Sequence, residues 1–183
     1  MHRPQNAAQK IIAAFLRKLP ALRKQCSQLA QYISDEGNVG SVISIPNEIY
    51  SLCGDASMHS RIFVRNEYVR LMRMWNDSSH GFVLVGTPEI GKTHFGALVL
   101  LCCLGTTTPV ILDNGHPEVL VFGGKSCEYV QYNRLNGMFT ARCILIADMF
   151  CGLTRRYGKF RFHKVLDIKR SSAQNSTTPL NSK

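Results

Sequence analysis

A short loop sequence, GTPEIGKTH at 86–94, has the residue types and spacing of a phosphate-binding loop. It matches the Walker A pattern G-x-x-x-x-G-K-[ST], in which glycines allow a tight turn whose backbone N–H groups converge on phosphate oxygens. Lys92 would reach the outer phosphates as a point charge, and the Thr93 hydroxyl would be a ligand of Mg²⁺. The motif therefore predicts binding of a nucleoside triphosphate, such as ATP, with magnesium. The predicted nucleotide contacts are Gly86, Thr87, Pro88, Glu89, Ile90, Gly91, Lys92, Thr93 and His94.

Glu89 is unfavourable for this function in two ways. Many loops of this type have glycine at this place, where a positive φ can be needed, so a side chain there strains the backbone by about 1 kcal/mol or more. A carboxylate roughly 5 to 8 Å from a triphosphate also repels it, by about 2 to 3 kcal/mol per phosphate charge at an effective dielectric constant near 20. We therefore expect Glu89 to weaken the affinity for nucleotide rather than to abolish it.

A second candidate ligand for magnesium, Asp148, ends the apolar run CILIAD at 143–148. An acid at the end of such a strand holds the Mg²⁺ that accompanies the nucleotide in phosphoryl-transfer sites. The alternative is a core strand that ends by chance in a turn acid. The next residue is Met149, where many ATPases have a glutamate that activates water. The sequence thus predicts nucleotide binding with weak or no hydrolysis, and it leaves the catalytic residues unknown.

Strand, loop and helix must follow one another for the motif to work, and the flanking sequence has this order. FVLV at 82–85 is an apolar run of strand length, and KTHFGALVLLCCL at 92–104 is typical of a buried helix. The predicted fold is α/β, a P-loop NTPase-like, mostly parallel sheet flanked by helices, with an inserted β-hairpin. The further predicted strands are PVILD (109–113), the hairpin EVLVFG (118–123) with CEYVQY (127–132), CILIAD, and one within KFRFHKVLDI (159–168).

The N-terminal segment, residues 1–35, is predicted to form a basic amphipathic helix. Lysines and arginines recur through residues 1–34, which contain no Asp or Glu. Apolar residues have helical spacing, and we expect the helix to break at Pro20 and to resume after it. A solvated helix at the edge of the domain is the preferred interpretation, and a membrane-surface anchor and a mitochondrial presequence are the alternatives.

Length and composition indicate one soluble domain. A chain of 183 residues is long enough to bury a substantial core. We expect a linker at 36–60 that holds the short apolar strand VISI, a P-loop NTPase-like domain at 61–170 with a helix from about Asn66 to Trp75, and a disordered tail at 171–183.

The expected compartment is the cytoplasm or the nucleus, with mitochondrial targeting less favoured. Seven cysteines without a C-x-x-C pair are expected to be reduced thiols that pack as small hydrophobic residues. The longest apolar run, residues 95–104, is too short to span a bilayer, so no integral membrane segment is expected.

Positive charge supports a rival function. The formal net charge is +10, which favours polyanionic partners. The chain between residues 155 and 170 interleaves basic side chains with Tyr157, Phe160 and Phe162, a mixture that suits phosphate contacts and base stacking. The alternative function is therefore a non-enzymatic basic module that binds nucleic acid or a protein partner and has a degenerate P-loop. A simpler interpretation of these basic residues is a charged face that is exposed to solvent. The nucleic-acid candidates are Arg155, Arg156, Lys159, Arg161 and Lys164.

Taken together, IFVRNEYVRLMRMW (62–75), GFVLVGTPEIGKTHF (81–95), PVILD with its hairpin, and CILIAD resemble a known P-loop core. This core is shared by Crinkler-type proteins of fungi and oomycetes and by the retrotransposon hot spot proteins of trypanosomes, and the resemblance covers about residues 61–150. It implies an ATPase-like module in which Gly86, Gly91, Lys92 and Thr93 contact nucleotide and magnesium and Asp148 is the magnesium-side acid. The family loop commonly reads like GTPGIGKS, from which Glu89 departs. A complete module would also have one or two further pairs of strand and helix, including a polar residue between the two motif strands that senses the γ-phosphate. Only 35 residues follow Asp148, so the sheet is expected to be incomplete after the strand that ends in Asp148, as in a truncated gene model or a decayed paralogue.

Overall fold

The computed structural model describes residues 5–47, 49, 61–85, 91–113, 117–123, 126–140, 142–148, 157 and 161–168. The helices are α1 (Gln5–Ile33), α2 (Asn66–Asp77), α3 (Lys92–Gly105) and α4 (Gly137–Thr140), and short 3₁₀ turns lie at Glu36–Asn38 and Tyr132–Arg134. The strands are β1 (Val42–Ser44), β2 (Arg61–Phe63), β3 (Gly81–Leu84), β4 (Val110–Asp113), β5 (Glu118–Gly123), β6 (Ser126–Gln131), β7 (Ile144–Asp148) and β8 (Lys164–Ile168). The predicted disordered tail lies outside the described residues.

The main sheet has six strands in the order β3-β8-β7-β4-β5-β6. Strands β3, β8, β7 and β4 are parallel, whereas β5 and β6 form an antiparallel hairpin that extends the sheet beyond β4. The α/β class with a mixed, mostly parallel sheet and the hairpin are as the sequence predicted. The strand expected within KFRFHKVLDI is β8, and it lies between β3 and β7.

The parallel strands are apolar along their whole length because side chains cover both of their faces. On one face, Leu112 and Ile146 join the cluster that includes α1 and α3. On the other face, Ile111 and Leu145 join a smaller cluster with Tyr157. Continuous apolar runs such as PVILD and CILIAD are therefore what this position in a sheet requires.

Helix α3 is buried on most sides because it packs against the sheet and against α1. It approaches the sheet closely at Gly96, where a Cβ atom would lie 2.6 Å from Ile168 Cδ1 and 3.9 Å from Ile146 Cγ2. Glycine at this place lets the first turns of α3 lie directly over the ends of β8 and β7. The buried helix predicted for KTHFGALVLLCCL is confirmed.

Helix α1 runs without a break through Pro20, so the predicted break is wrong. Proline costs about 3 kcal/mol inside a helix because it has no N–H for the carbonyl four residues earlier. Burial of an apolar side chain contributes roughly 1.5 to 3 kcal/mol, so several such residues outweigh this cost. The expectation of a solvated helix at the edge of the domain therefore holds only for the exposed basic face of α1. The buried residues of α1 that belong to the main core are Phe15, Leu19, Leu22, Cys26 and Ile33.

The predicted linker at 36–60 pairs with the predicted domain at 61–170 through two antiparallel strands. β1, which contains most of the predicted VISI run, pairs with β2, and Ile43 lies opposite Ile62. Glu36 forms an ion pair with Arg73 on α2. Helix α2 confirms the helix predicted from about Asn66 to Trp75, and it ends two residues later. The proposed linker therefore contains structure that packs on the first part of the domain.

The described cysteines are free thiols that pack as small hydrophobic side chains, as expected. Burial raises the pKa of Cys26 to about 11 and that of Cys102 to about 12. Both thiols are therefore protonated at neutral pH. Cys53 and Cys151 lie outside the described residues. In the described part of the chain, no helix is both long enough and apolar enough to cross a membrane.

Candidate functional site

The N-terminus of α3 is the described half of the phosphate-loop motif. Residues 86–90, which include Glu89, lie outside the described residues. Gly91 caps the helix with a φ of +89°, in the left-handed region. A Cβ atom on Gly91 would lie 2.1 Å from the Tyr68 hydroxyl oxygen. Both the backbone conformation and the available space therefore require glycine here, as the motif predicts.

Lys92, Thr93 and His94 form the first turn of α3. The N–H groups of a first helical turn have no partners within the helix, and the helix dipole is positive there, so this turn attracts anions. Thr93 and His94 are half-buried, whereas Lys92 is only 7% exposed. Such deep burial is unusual for lysine.

Asp148 is brought to the same edge of the sheet by strand register. It lies beside Ile168 on β8, and Ile168 lies beside Leu84 on β3. Neighbouring strands are roughly 4.8 Å apart, so the Cα atoms of Asp148 and Leu84 are about 10 Å apart. Ile146, two residues earlier on β7, and Ile168 lie on the face under Gly96 of α3. The end of β7 and the start of α3 therefore share one edge and one face of the sheet.

The donors at this edge suit magnesium better than a transition metal. Within the described ranges, no group of three or more His, Cys, Asp or Glu side chains is placed to hold a metal ion. Mg²⁺ commonly uses one or two carboxylates together with phosphate oxygens and water, so it needs no such group. Thr93 and Asp148 would both supply oxygen ligands. This donor set fits a magnesium ion that binds together with nucleotide.

A second acid, Asp113, lies at the carboxyl edge of the sheet, and the sequence motifs did not single it out. Asp113 ends β4, where it lies beside Ala147 of β7. Its side chain is fully buried and accepts a hydrogen bond from the Tyr157 hydroxyl, with an O–O distance of 2.6 Å. Alternation assigns it to the face of Ile111, opposite α3. The available signal was the one that identified Asp148, an acid that ends an apolar strand.

A pocket of about 210 Å³ opens beside Gly91. The ring of Tyr68, one of the lining residues, stacks on Phe95 at a centroid distance of 6.4 Å, and the Arg65 guanidinium carbon lies 5.9 Å from the Tyr68 ring centroid. Burial raises the pKa of Tyr68, so its hydroxyl stays protonated and donates to the Gly91 carbonyl oxygen at 3.3 Å. The periodicity of the sequence did not reveal this pocket. Only the resemblance drew attention to the residues FVR at 63–65. The pocket is lined by Arg61, Ile62, Phe63, Arg65, Tyr68, Gly91 and His94.

The basic run near the C-terminus is only partly described. Arg155, Arg156 and Lys159 lie outside the described residues, and Arg161 is exposed. The Lys164 amino group donates to the carbonyl oxygens of Trp75, at 2.8 Å, and Asn76, at 3.2 Å. It also lies 5.4 Å from the centroid of the Trp75 ring. Lys164 therefore stabilises the end of α2.

The aromatic residues of the same run belong to the interior where they are described. Tyr157 is 4% exposed, and Phe162 is half-buried. Their rings meet edge to face at a centroid distance of 5.6 Å. Phe160 lies outside the described residues. Tyr157 and Phe162 therefore pack in the smaller hydrophobic cluster instead of presenting free faces for base stacking.

Comparison with known proteins leaves the family open. No protein-family model matches the chain, and neither the curated proteins nor the solved structures gave a match. The resemblance to Crinkler-type and retrotransposon hot spot cores therefore rests on the quoted motifs alone.

Proposed function

We propose that this chain binds a nucleoside triphosphate, with ATP as the first candidate, together with Mg²⁺ at the carboxyl edge of the main sheet. The observation that supports this most strongly is the strand register, in which Asp148 lies two strands away from Leu84, at the level where β3 leads into the motif. Ligands of open α/β sheets bind outside the carboxyl ends of the strands, which agrees with this location. In this proposal the sheet is a P-loop NTPase core.

Each motif residue has a definite role in the proposal. Backbone N–H groups from Gly91 onward hold the phosphates, aided by the dipole of α3. The Lys92 amino group contacts the outer phosphates. The Thr93 hydroxyl and the Asp148 carboxylate hold the magnesium ion, the carboxylate through water. Magnesium neutralises part of the phosphate charge and so offsets the repulsion expected from Glu89.

Hydrolysis is proposed to be weak or absent because the sequence has no acid directly after Asp148, where many ATPases have the glutamate that activates water. Met149 follows Asp148, and the described end of the intervening strand is the apolar Ile168. Asp113 is a carboxylate at the same edge, but it is fully buried and hydrogen-bonded to Tyr157. Binding without rapid turnover therefore agrees best with these residues.

Equilibrium binding of a fluorescent ATP analogue in the presence of Mg²⁺ tests the proposal. Lys92→Ala removes a charged contact to phosphate and is expected to raise the Kd by about 10- to 100-fold. Glu89→Gly is expected to lower the Kd by about 10-fold because repulsion and backbone strain are both removed. Lys24→Ala, which removes one exposed charge of α1, is the matched control and should leave the Kd unchanged.

Two results have clear meanings for this site. An affinity that Lys92→Ala does not change would contradict the phosphate-loop proposal. Binding that is absent in the wild type but present in Glu89→Gly would identify a relic site that a single residue has disabled.

The alternative, a basic module that binds nucleic acid, has less support among the described residues. Lys164 is engaged with the end of α2, and Tyr157 is buried. Only Arg161 remains as a described, exposed candidate from the proposed set. Salt-sensitive binding to single-stranded DNA would support this alternative, since phosphate contacts release counterions.

A further inference from the structure

We propose that the pocket beside Gly91 holds the nucleoside part of the bound nucleotide and so makes the site selective for nucleotides over inorganic polyphosphate. This inference rests on the proposed nucleotide function, which concerns the phosphates and magnesium alone. It assigns a role to Arg61 and Arg65, which lie outside the phosphate-loop motif.

The position of the pocket around α3 supports this assignment. Lys92 and Gly96 are four residues apart and share one side of the helix, the side that faces Ile168 of the sheet. His94 lies roughly 160° to 200° around the helix axis from both of them. The pocket therefore opens on the opposite side of the helix N-terminus from the Lys92 side. If the outer phosphates and magnesium lie toward Lys92 and Asp148, the other end of the nucleotide extends toward the pocket.

The size of the pocket suits one part of a ligand. Its volume of about 210 Å³ is below the range of roughly 300 to 1,000 Å³ that is usual for whole small molecules. A nucleotide whose phosphates lie on the loop needs space only for its nucleoside end.

The chemistry of the lining suits a planar base attached to an anion. Arg65 and Phe63 offer planar groups, and Phe63 is 53% exposed. Guanidinium and aromatic planes stack on bases, whereas Tyr68 is almost fully buried and supports Arg65 from below. Arg61 and His94 add positive or ionisable groups near the first phosphate. Among the described lining residues there is no carboxylate that would repel it.

A comparison of two ligands, Mg–ATP and Mg–tripolyphosphate, tests the inference by isothermal titration calorimetry. Arg65→Gln is expected to weaken ATP binding by about 3- to 10-fold and tripolyphosphate binding by less than about 2-fold. Arg65→Lys keeps the charge but loses the planar group, so it should weaken ATP binding in the same selective way. Arg70→Gln removes an exposed charge from α2, the helix that Arg65 caps, outside the pocket, and should change neither affinity.

The outcomes separate this inference from the proposed function. Wild-type protein that binds ATP and tripolyphosphate equally well, or Arg65→Gln protein that loses both affinities equally, would overturn the nucleoside pocket and leave the phosphate site intact. Wild-type protein and Glu89→Gly protein that bind neither ligand would overturn both. Lys92→Ala should weaken both ligands, which distinguishes a phosphate contact from a nucleoside contact. All Arg variants alter exposed side chains, and circular dichroism would verify that they fold.

Discussion

Two basic regions of this molecule have similar sequences and different structures. The segment at 61–70 and the run at 155–170 both alternate arginine or lysine with aromatic residues. In the first, Arg61 and Arg65 surround a pocket at the positive end of α3. In the second, Lys164 binds the carbonyl oxygens at the end of α2, and Tyr157 is buried with its hydroxyl on Asp113.

This difference shows that the folded surroundings of a cation, and not its basic neighbours in the sequence, decide whether it lines a cavity or binds backbone carbonyls. Lys164 stabilises the negative end of a helix, so its charge serves the fold. Arg61 and Arg65 lie beside the positive end of a helix, where their charges add to the dipole and the cationic surroundings favour an anion. A basic residue at the C-terminus of a helix therefore stabilises that helix, whereas basic residues beside the N-terminus of a helix make the surroundings more favourable for an anion.

The largest expected effect on stability comes from the narrow space between Tyr68, in the segment at 61–70, and Gly91, which caps α3. Gly91→Ala should lower the stability by about 2 to 4 kcal/mol, because a positive φ and a clash with the Tyr68 hydroxyl act together. Thermal unfolding would measure this as a lower Tm. Gly137→Ala, where an added Cβ meets no atom within 4 Å, is the control and should change the Tm little.

A second substitution sharpens the same test. Tyr68→Phe removes the oxygen atom that the new methyl group would meet, so Gly91→Ala should cost less in a Tyr68→Phe background. The coupling follows from a double-mutant cycle. Additive effects of the two substitutions would refute the contact as the cause of the destabilisation.

An intermediate effect on stability is expected from removal of a tyrosine hydroxyl, and it should differ between Tyr157 in the run at 155–170 and Tyr68 in the segment at 61–70. Tyr157→Phe should destabilise the fold by about 1 to 3 kcal/mol, since the buried Asp113 carboxyl loses a donor at 2.6 Å. Tyr68→Phe should cost about 0.5 kcal/mol, since its bond to the Gly91 carbonyl oxygen is long, at 3.3 Å. Urea unfolding of both variants would measure the difference. An equal loss of stability in the two variants would contradict the stronger structural role assigned to the Tyr157 hydroxyl.

The smallest expected effect on stability tests whether Lys164 has a structural role at the end of α2. Lys164→Met should destabilise the protein by about 1 kcal/mol, through lost hydrogen bonds at the end of α2. Arg161→Met, an exposed neighbour, should change stability by less than about 0.5 kcal/mol. A Lys164→Met protein of unchanged stability that binds single-stranded DNA more weakly would instead assign this run to nucleic-acid binding.

Most local elements could be predicted because each depends on residues close together in the chain. The apolar runs FVLV, PVILD and CILIAD form strands, and the glycine predicted to shape the loop, Gly91, has the positive φ that the motif needs. Pro20 shows the limit of such reasoning. Its helix-breaking tendency is local, whereas the packing of α1 on α3 that overrides it involves residues far apart in sequence.

The sequence motifs mark the residues of the proposed phosphate and magnesium contacts, whereas nothing in the sequence marks the pocket. Lys92, Thr93 and Asp148 stand at positions that the motifs mark. Arg61 and Arg65 carry no such mark, because their neighbours in the pocket, Gly91 and His94, come from a different element.

By itself the sequence determined the chemistry available to this protein: a glycine-bearing loop before a buried helix, an acid at the end of an apolar strand, and an excess of positive charge. The tertiary structure alone decided the order of the strands, with β8 between β3 and β7, and decided which basic residues face a pocket and which bind the fold. The physical reason is the range of the forces involved. Backbone preferences and apolar periodicity act over a few residues, whereas strand pairing and the contact between Lys164 and Trp75 join segments that only the folded core brings together.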